Sequence, residues 1–309
     1  MKSNNSYRKI LYFINPVSGP KRYPSLKNAI TEKTSAQNFF FEITATNSLG
    51  DYPNLNDKIK NENFTDVVIC GGDGTVNQIV SLLLGTDINI GIIPIGSGNG
   101  LALAAKITKN IDKSLQIIFA GKSTLIDGFF INEKFSCMLC GVGFDAQVAY
   151  DFSLQPKRGL KTYVLQSLKN FIKAKPYQFD ITHDGTTFST EAYLISIANA
   201  NQFGNNFTIA PKASLQDGLL DIIVVKKMNK LKVIWALLKH IRSGEVGTHK
   251  DKNPDSYRDH KRGILYFQTD KLIIHNHQLA PLHIDGDPAK TSEKFDIKIL
   301  HKAFKLIMP

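Results

Sequence analysis

The chain has 309 residues, which is long enough for two domains of ordinary size. Hydrophobic residues make up 42% and charged residues 21% of it, which excludes a disordered or fibrous chain. The formal net charge of +11 favours a nucleic acid, an anionic membrane or a phosphorylated small molecule as partner, without deciding among them.

No apolar stretch reaches the roughly 18 residues of a membrane span. The N-terminal sequence MKSNNSYRKI lacks the apolar segment of a signal peptide, so a cytoplasmic protein is expected. Cys70, Cys137 and Cys140 are predicted to be reduced core residues, because the single CxxC has no second pair and no nearby His to complete a metal site.

Strand and helix patterns alternate over the first 120 residues, which predicts a doubly wound α/β domain with a parallel sheet. Strands are predicted at 9–15, 39–45, 66–70 and 88–95. The clearest helices, 75–85 and 99–107, each begin just after a glycine-rich turn that follows a strand. Ligands bind at the carboxyl ends of parallel strands, so both turns are candidate binding sites.

From about Leu125 the pattern changes to short strands separated by turn residues, which predicts a largely antiparallel second domain. Helices near 160–175 and 229–244 interrupt it. The predicted strands are 125–131, 134–141, 178–184, 188–199, 219–227, 263–269, 271–276, 281–287 and 295–301. We expect residues 1–124, joined by the C-terminal 301–309, to form the α/β domain and residues 125–300 to form the β-rich domain.

Three motifs look like known sites but lack the required context. GKST at 121–124 lacks the earlier glycine of a P-loop, since position 116 is Gln, and it follows a helix. GVGFDA at 141–146 fits a dinucleotide-binding turn, but the chain there is predicted to be antiparallel. His275 and His277 share one face of a predicted strand and could bind a metal, but plain surface histidines are the favoured interpretation.

The segment GGDGTVNQIV, residues 71–80, carries three glycines and one acidic side chain at the start of a helix. Glycines let backbone N–H groups approach a ligand, and a helix N-terminus adds partial positive charge, so a phosphate-binding site is predicted. Asp73 would repel phosphate unless a divalent cation lay between them. The residues alone leave open the alternative that Asp73 caps the helix.

Two further turns are predicted to lie at the same edge of the sheet. PIGSGNGLA at 94–102 follows the next strand and supplies Ser97 and Asn99. NPVSG at 15–19 follows the first strand and supplies Asn15 and Ser18. Three polar, glycine-containing turns at one rim point to a ligand site.

Six motifs in a fixed order, NPVSG, GGDGTVNQ, PIGSGNGLA, GVGFDAQV, DGLLD and IDGDP, resemble the diacylglycerol kinase catalytic-domain family of lipid kinases. That family includes bacterial diacylglycerol kinases, sphingosine kinases and ceramide kinases, and the resemblance covers nearly the whole chain. It implies an α/β domain that holds ATP, a C-terminal β-sandwich that contributes the lipid site, and a requirement for Mg²⁺.

The resemblance also implies roles for individual residues. Asp285 matches the aspartate that takes the proton from the lipid hydroxyl, Asp127 matches another acidic active-site position, and Asp73 would act through magnesium. A structural Mg²⁺ site would involve Asp217 and the carbonyl groups of Ser214 and Leu219, although Asp217 could equally be a turn residue. The residues expected around ATP are Asn15, Ser18, Gly71, Gly72, Asp73, Gly74, Thr75, Gly96, Ser97, Gly98, Asn99 and Asp287.

Three positions depart from the family pattern and leave the lipid class and the activity open. The family often has Glu at the positions of Gln78 and Asp287, and bacterial diacylglycerol kinases typically have Asp at the position of Gly100, which here resembles the sphingosine kinase version. Diacylglycerol is the first expected substrate, with a sphingoid base or ceramide next. The alternatives are a nucleotide-responsive membrane-binding protein with little kinase activity and an NAD kinase-like soluble enzyme.

A lipid kinase without a membrane span must reach its substrate from the membrane surface, so the expected partners are a membrane lipid and an anionic surface, with no nucleic acid and with a homodimer left open. Two basic, amphipathic segments are the candidates for this contact, although each could equally be an ordinary domain helix. The first contains Lys157, Arg158, Lys161, Tyr163, Leu165, Leu168, Lys169, Phe171, Lys173 and Lys175, and the second Lys226, Lys227, Lys230, Lys232, Trp235 and Arg242.

Overall fold

The computed structural model describes residues 8–18, 23–47, 50–154, 170–171, 173–204, 207–208, 210–232 and 263–309. The chain divides into two units, one formed by Met1–Ile126 with Lys302–Pro309 and the other by Asp127–His301. The first unit is therefore built from two separate pieces of the chain, and the second lies between them in sequence.

The first unit contains a parallel sheet whose central strands, apart from the polar residue that begins each of them, are apolar and buried, as expected for strands covered on both faces. Strand β3 pairs with β1 on one side and with β4 on the other, and β2 extends the sheet beyond β1. The elements are β1 (Lys9–Ile14), α1 (Tyr23–Ser35), β2 (Phe40–Ala45), α2 (Leu55–Asn61), β3 (Asp66–Gly71), α3 (Asp73–Leu82), β4 (Asn89–Pro94), α4 (Gly100–Ala104) and α5 (Ile111–Ala120).

The base of this sheet is fixed by a buried ion pair at the end opposite the glycine turns. Arg8 binds both carboxylate oxygens of Asp66, at 3.1 and 2.7 Å, and also donates to the carbonyl groups of Ile118 and Phe119. Asp66 is fully buried at the first position of β3, so the pair ties β3 to the last turn of α5.

The second unit is antiparallel and β-rich, as the sequence predicts. Its strands are β5 (Ser123–Ile131), β6 (Lys134–Ser136), β7 (Leu139–Gly143), β8 (Tyr177–His183), β9 (Thr186–Ala198), β10 (Gln202–Gly204), β11 (Phe207–Thr208), β12 (Leu220–Lys226), β13 (Ile264–Thr269), β14 (Lys271–Asn276), β15 (Leu282–Ile284), β16 (Asp287–Ala289) and β17 (Lys294–Ile307), and α6 (Phe144–Ser153) follows β7. Strands β5 and β17 each cross the boundary between the units.

The long strand β9 organises the second unit. Its first half pairs with β8, and its second half lies between β7 and β12. Strand β12 also pairs with β13. Strand β8 pairs with β14, which in turn pairs with β17. Strand β7 pairs with β15, which in turn pairs with β16. The apolar side chains of these strands form one buried cluster that includes Phe179, Ile195 and Ile222.

Strand β17 contributes to both sheets. Its residues 294–298 pair with β14 in the second unit, whereas Lys305 and Leu306 pair in parallel with Asn89 and Ile90 of β4 in the first. Between them Lys302 has a φ of 55°, in the left-handed region, which interrupts the regular strand geometry.

The structure differs from the sequence prediction in several elements. The predicted strand 134–141 is two strands, β6 and β7, because Cys137 and Met138 form a turn. Helix α6 was not predicted, and the last strand runs to Ile307 instead of ending at 301. The predicted helices at 160–175 and 229–244 lie mostly outside the described residues, and among the residues described no helix is long and apolar enough to cross a membrane.

Candidate functional site

The three polar turns follow neighbouring strands of the parallel sheet. Residues 15–18 follow β1, residues 72–75 follow β3, and residues 95–99 follow β4. Strands β1, β3 and β4 are adjacent and parallel, so the turns lie side by side at one edge of the sheet. The prediction of a shared rim is confirmed.

The turns after β3 and β4 approach each other backbone to backbone. A Cβ atom built on Gly96 would lie 2.4 Å from the Cα atom of Gly72, and one built on Gly72 would lie 3.2 Å from the Cα atom of Gly96. The amides of Ile95 and Gly96 donate to the carbonyl oxygen of Gly71, at 3.1 and 3.3 Å. Glycine is therefore required here for close approach, and the two turns form one backbone surface.

Asp73 links these turns in a way that the sequence did not reveal. It is the first residue of α3, whose N-cap is Gly72, and its own backbone amide is among the groups that hydrogen-bond its carboxylate. Its Oδ1 atom accepts a hydrogen bond from Leu101 N at 3.2 Å, in the first turn of α4. Burial raises the pKa of Asp73, and backbone hydrogen bonds from Gly100, Leu101 and Asn99 oppose that rise.

The two asparagines of the rim hold the turns in shape. Asn15 donates to Thr75 Oγ1 at 2.8 Å, which joins the turn after β1 to the start of α3. Asn99 adopts a left-handed backbone conformation and exchanges two hydrogen bonds with Gly96, of 2.9 and 2.7 Å. Asn99 is buried, whereas Ser97 is exposed, so Ser97 is the side chain of this turn that can reach a ligand from solvent.

This rim fits a nucleotide phosphate accompanied by Mg²⁺. The bare glycine backbone and the N-terminus of α3 are suited to phosphate oxygens. Mg²⁺ in kinase sites takes many of its ligands from phosphate and water, so one protein carboxylate is sufficient. The described residues contain no group of three or more His, Cys, Asp or Glu side chains that could hold a metal by themselves, so Asp73 would serve only together with the phosphates.

In the second unit, Asp285 lies in the turn between β15 and β16 with a φ of 50°. Its carboxylate is buried and accepts hydrogen bonds from Ser136 Oγ at 2.7 Å, Leu139 N at 2.9 Å, Met138 N at 3.1 Å and Cys137 N at 3.3 Å. Asp287, two residues later, is exposed. Of the two carboxylates of this turn, the one predicted to accept the proton is thus enclosed by protein donors.

Asp127 is fully buried at the boundary of the second unit and makes two contacts through its carboxylate. Gly218 N donates to Oδ2 at 2.8 Å, and His301 Nδ1 lies 2.8 Å from Oδ1. Asn199 donates from its amide to the carbonyl oxygens of both Asp127 and Cys137, at 2.9 and 3.1 Å. Asp127 thereby connects the turn around Asp217 with the turn that encloses Asp285.

The predicted structural Mg²⁺ site falls on a turn closed by its own side chains. Asp217 Oδ1 accepts from Leu219 N at 3.1 Å, and Ser214 Oγ accepts from Gln216 N at 3.3 Å. Burial raises the pKa of Asp217, and the nearby Asp127 carboxylate adds to the rise. The turn interpretation accounts for these contacts, and a cation here stays a prediction.

The motifs set aside in the sequence have structural roles. Gly121 of GKST is the left-handed C-cap of α5, with its amide bonded to Ile117 and Ile118. His277 Nε2 lies 2.7 Å from Asp180 Oδ2 on the surface, and the three cysteines are buried and form no disulfide. GVGFDA does form the end of a strand followed directly by a helix, but β7 is paired antiparallel on both sides.

Comparisons with known proteins agree with this architecture. A family model described as the diacylglycerol kinase catalytic domain matches residues 9–131, and one described as the YegS C-terminal NAD kinase beta sandwich-like domain matches residues 139–253. A protein of Shewanella frigidimarina named "Probable lipid kinase YegS-like" is 30% identical over 256 residues, which cover 80% of this chain and 78% of that protein. A diacylglycerol kinase of Bacillus subtilis is 25% identical over 284 residues, covering 90% and 89% of the two chains.

A crystal structure of a diacylglycerol kinase from Bacillus anthracis superposes with a TM-score of 0.71 at 19% identity, with 98% of each chain covered, which shows a common fold. An N-terminal α/β catalytic domain followed by a β-sandwich domain is thus confirmed. The chain belongs to the diacylglycerol kinase catalytic-domain family, together with the diacylglycerol kinases and the YegS-like lipid kinases.

Proposed function

We propose that the protein is an ATP- and Mg²⁺-dependent lipid kinase that transfers a phosphoryl group to the hydroxyl group of a membrane lipid. Diacylglycerol is the first proposed substrate and a sphingoid-type lipid the second. The observation that carries the proposal is the backbone contact between Gly72 and Gly96, at the sheet edge where a phosphate site is expected in this family. A turn surface made of bare backbone is suited to a polyphosphate, because oriented N–H groups replace its hydration.

In this proposal the residues of the rim have different roles in binding ATP. Backbone groups of residues 71–75 and 96–98, with the side chains of Ser18 and Ser97, contact the phosphates. Asn15 and Asn99 hold the turns, since their amide groups are already bonded to Thr75 and Gly96. Mg²⁺ would be held by phosphate oxygens and Asp73, and its positive charge would offset the charge that develops on the transferred group.

In this proposal a carboxylate of the turn 285–287 accepts the proton of the lipid hydroxyl group. Phosphoryl transfer needs an oriented nucleophile more than a strong base, so a carboxylate at this turn suffices. Asp287 is exposed and can meet a substrate directly, whereas Asp285 must first release one of the donors that enclose it. Asp127 and Asp217 then support the fold around this turn.

Replacing each carboxylate separately tests this assignment. Asp285→Asn should abolish phosphoryl transfer and leave ATP binding largely intact. Ser136→Ala removes one donor to Asp285 but keeps its carboxylate, so it is the matched control for damage to the turn. If Asp287→Asn stops transfer and Asp285→Asn lowers it only as much as Ser136→Ala does, Asp287 is the proton acceptor. Loss of ATP affinity with normal residual chemistry in Asp285→Asn would contradict a role for Asp285 in transfer.

We also propose that the protein works at an anionic membrane surface. In the described part of the chain, Leu154 and Leu231 are 66% and 77% exposed, and both lie in the two basic segments or beside them. Lys230 Nζ lies 6.0 Å from the ring centroid of Phe171, so these two residues, one from each segment, lie close together. Each basic residue near an anionic surface contributes about 1 kcal/mol. Lys227 contributes less because it pairs with Glu191, and Lys226 contributes less because it is buried.

The experiment that tests the proposed function uses the purified chain, radiolabelled ATP and mixed vesicles. One set of vesicles contains diacylglycerol and another a sphingoid base, both with anionic phospholipid, and a third reaction replaces lipid with NAD. Label in a lipid supports the proposal and identifies the substrate. Label in NAD supports a soluble NAD kinase. Vesicle binding that responds to ATP, without transfer, supports a membrane-binding protein with little kinase activity.

A further inference from the structure

A buried pair of titratable side chains lies directly behind the turn 285–287 and has no part in the roles described so far. His283 and Asp145 are 1% and 7% exposed, and His283 Nε2 lies 3.4 Å from Asp145 Oδ2. On its other side, His283 Nδ1 accepts a hydrogen bond from Gly286 N at 3.3 Å. The imidazole therefore stands between a carboxylate of α6 and the backbone of the turn.

The two ring nitrogens of His283 have different surroundings. Nδ1 is the acceptor for the Gly286 amide, whereas Nε2 lies within ion-pair distance of Asp145 Oδ2, at 3.4 Å, without hydrogen-bond geometry. The other carboxylate oxygen of Asp145 accepts from Ala146 N at 2.9 Å, in the first turn of α6. An uninterrupted series of polar contacts thus runs from the start of α6, through Asp145 and His283, to Gly286.

The strand opposite His283 leaves space for this pair. Gly141 is the direct partner of His283 in the antiparallel ladder between β7 and β15. A Cβ atom on Gly141 would lie 1.9 Å from Asp145 Oδ2 and 2.5 Å from His283 Nε2. The first glycine of GVGFDA, a motif of dinucleotide-binding turns, is therefore needed here to admit a buried His–Asp pair.

We infer that Asp145 and His283 are positioning residues that hold the turn 285–287 in the geometry that phosphoryl transfer requires. This inference deepens the proposed function and rests on it for its kinetic consequence. Asp285 is anchored from one side by the amides of residues 137–139, and the Asp145–His283 pair anchors the same turn through Gly286. With both anchors the turn has one orientation.

Two substitutions of His283 separate its two contacts. Asn places an amide oxygen near the position of Nδ1, so His283→Asn keeps the acceptor for Gly286 N and loses the contact with Asp145. Gln places its amide nitrogen near the position of Nε2, so His283→Gln keeps that contact and loses the acceptor. Asp145→Asn retains an oxygen for Ala146 N but presents an NH₂ group to Nε2. His277→Asn, in an exposed His–Asp pair, is the control.

The kinetic test measures kcat and KM for lipid, together with ATP affinity. We expect kcat to fall about 10- to 100-fold in His283→Asn, His283→Gln and Asp145→Asn, because displacement of reacting groups by about 1 Å costs up to about 100-fold. ATP affinity should stay within about twofold, and His277→Asn should match the wild type. The double variant Asp145→Asn/His283→Asn should be no slower than the worse single variant, since coupled residues act as one unit. Additive losses would overturn the inference.

Hydrogen exchange of the peptide 283–289 gives a readout that does not depend on kinase activity. His283→Gln should accelerate exchange of the Gly286 amide, His283→Asn should do so less, and peptides of β12 and β13 should stay unchanged. If wild-type protein phosphorylates no lipid, the proposed function fails while this measurement still decides the inference. Unchanged exchange in all three variants would overturn it, as would a uniform acceleration across the unit, which would indicate only loss of stability.

Discussion

Asp221 offers a quantitative test of the electrostatics of the second unit. It is fully buried in β12, where its carboxylate accepts hydrogen bonds from the Tyr266 hydroxyl group and from Gln268 Nε2. Burial raises the pKa of Asp221 to about 6, the nearby Asp217 adds to the rise, and the two hydrogen bonds oppose it. The folded protein therefore holds this proton more tightly than the unfolded chain does.

The sign of the pH effect follows from that difference. The contribution of Asp221 to stability is full below about pH 4 and is lost as the pH rises through about 6. Because the pKa is raised by about two units, the free energy of unfolding contributed by Asp221 is about 3 kcal/mol lower at neutral pH than at low pH. The buried carboxylate thus lowers stability at pH 8, which is the reverse of a salt-bridged aspartate.

Asp221→Asn removes the ionisation and keeps an oxygen to accept from Tyr266. The variant should gain stability relative to wild type as the pH rises, and the gain should grow by about 1–2 kcal/mol between pH 5 and pH 8. Thermal and urea unfolding at both pH values measures this gain, with the exposed Asp270→Asn as control. A ¹³C titration of the Asp221 carboxyl group should give a pKa near 6. A gain independent of pH would refute the reasoning.

Three further predictions concern the first unit. Asp73→Ala should weaken Mg²⁺-dependent nucleotide binding, measured by calorimetry with and without Mg²⁺; unchanged turnover would show that Asp73 only links α3 to α4. Gly96→Ala should lower ATP affinity at least about 10-fold, because the added Cβ would lie 2.4 Å from the Gly72 Cα atom and push the turns apart; wild-type affinity would contradict a phosphate site there. Gly85→Ala, which is strained at a φ of 76° but has no neighbouring atom at its Cβ, is the control for a general loss of stability. Arg8→Met should cost about 3–5 kcal/mol in urea unfolding, since it leaves Asp66 buried without its partner, and a loss below about 1 kcal/mol would show that the pair is not needed.

The sequence predicted the first unit well because its signals are local. Buried apolar strands, each followed by a glycine turn and a helix, give the parallel sheet and the rim almost to the residue. The partners of the key carboxylates could not be predicted in this way. Asp73 bonds to a residue 28 positions later, and Asp285 accepts from donors 146 to 149 positions earlier, so only tertiary structure brings them together.

The second unit was predicted in outline and missed in its details. The turn at Cys137 and Met138 lies inside an apolar stretch without Gly or Pro, so nothing local indicates a break. It exists because its amides enclose the Asp285 carboxylate. The role of His283 could not be predicted from local sequence, since its partner Asp145 lies on another element and Gly141 belongs to a segment that fits a dinucleotide-binding turn.

The path of the chain through β17 has a consequence for biosynthesis. Strand β4 finds its outer neighbour only at Lys305 and Leu306, more than 200 residues after β4 itself has been made. During translation the parallel sheet of the first unit therefore has one unpaired edge while the whole β-rich unit is synthesised. If translation stopped within that unit, the released chain would have a sheet edge with unpaired N–H and C=O groups. Such a chain would bind chaperones or aggregate.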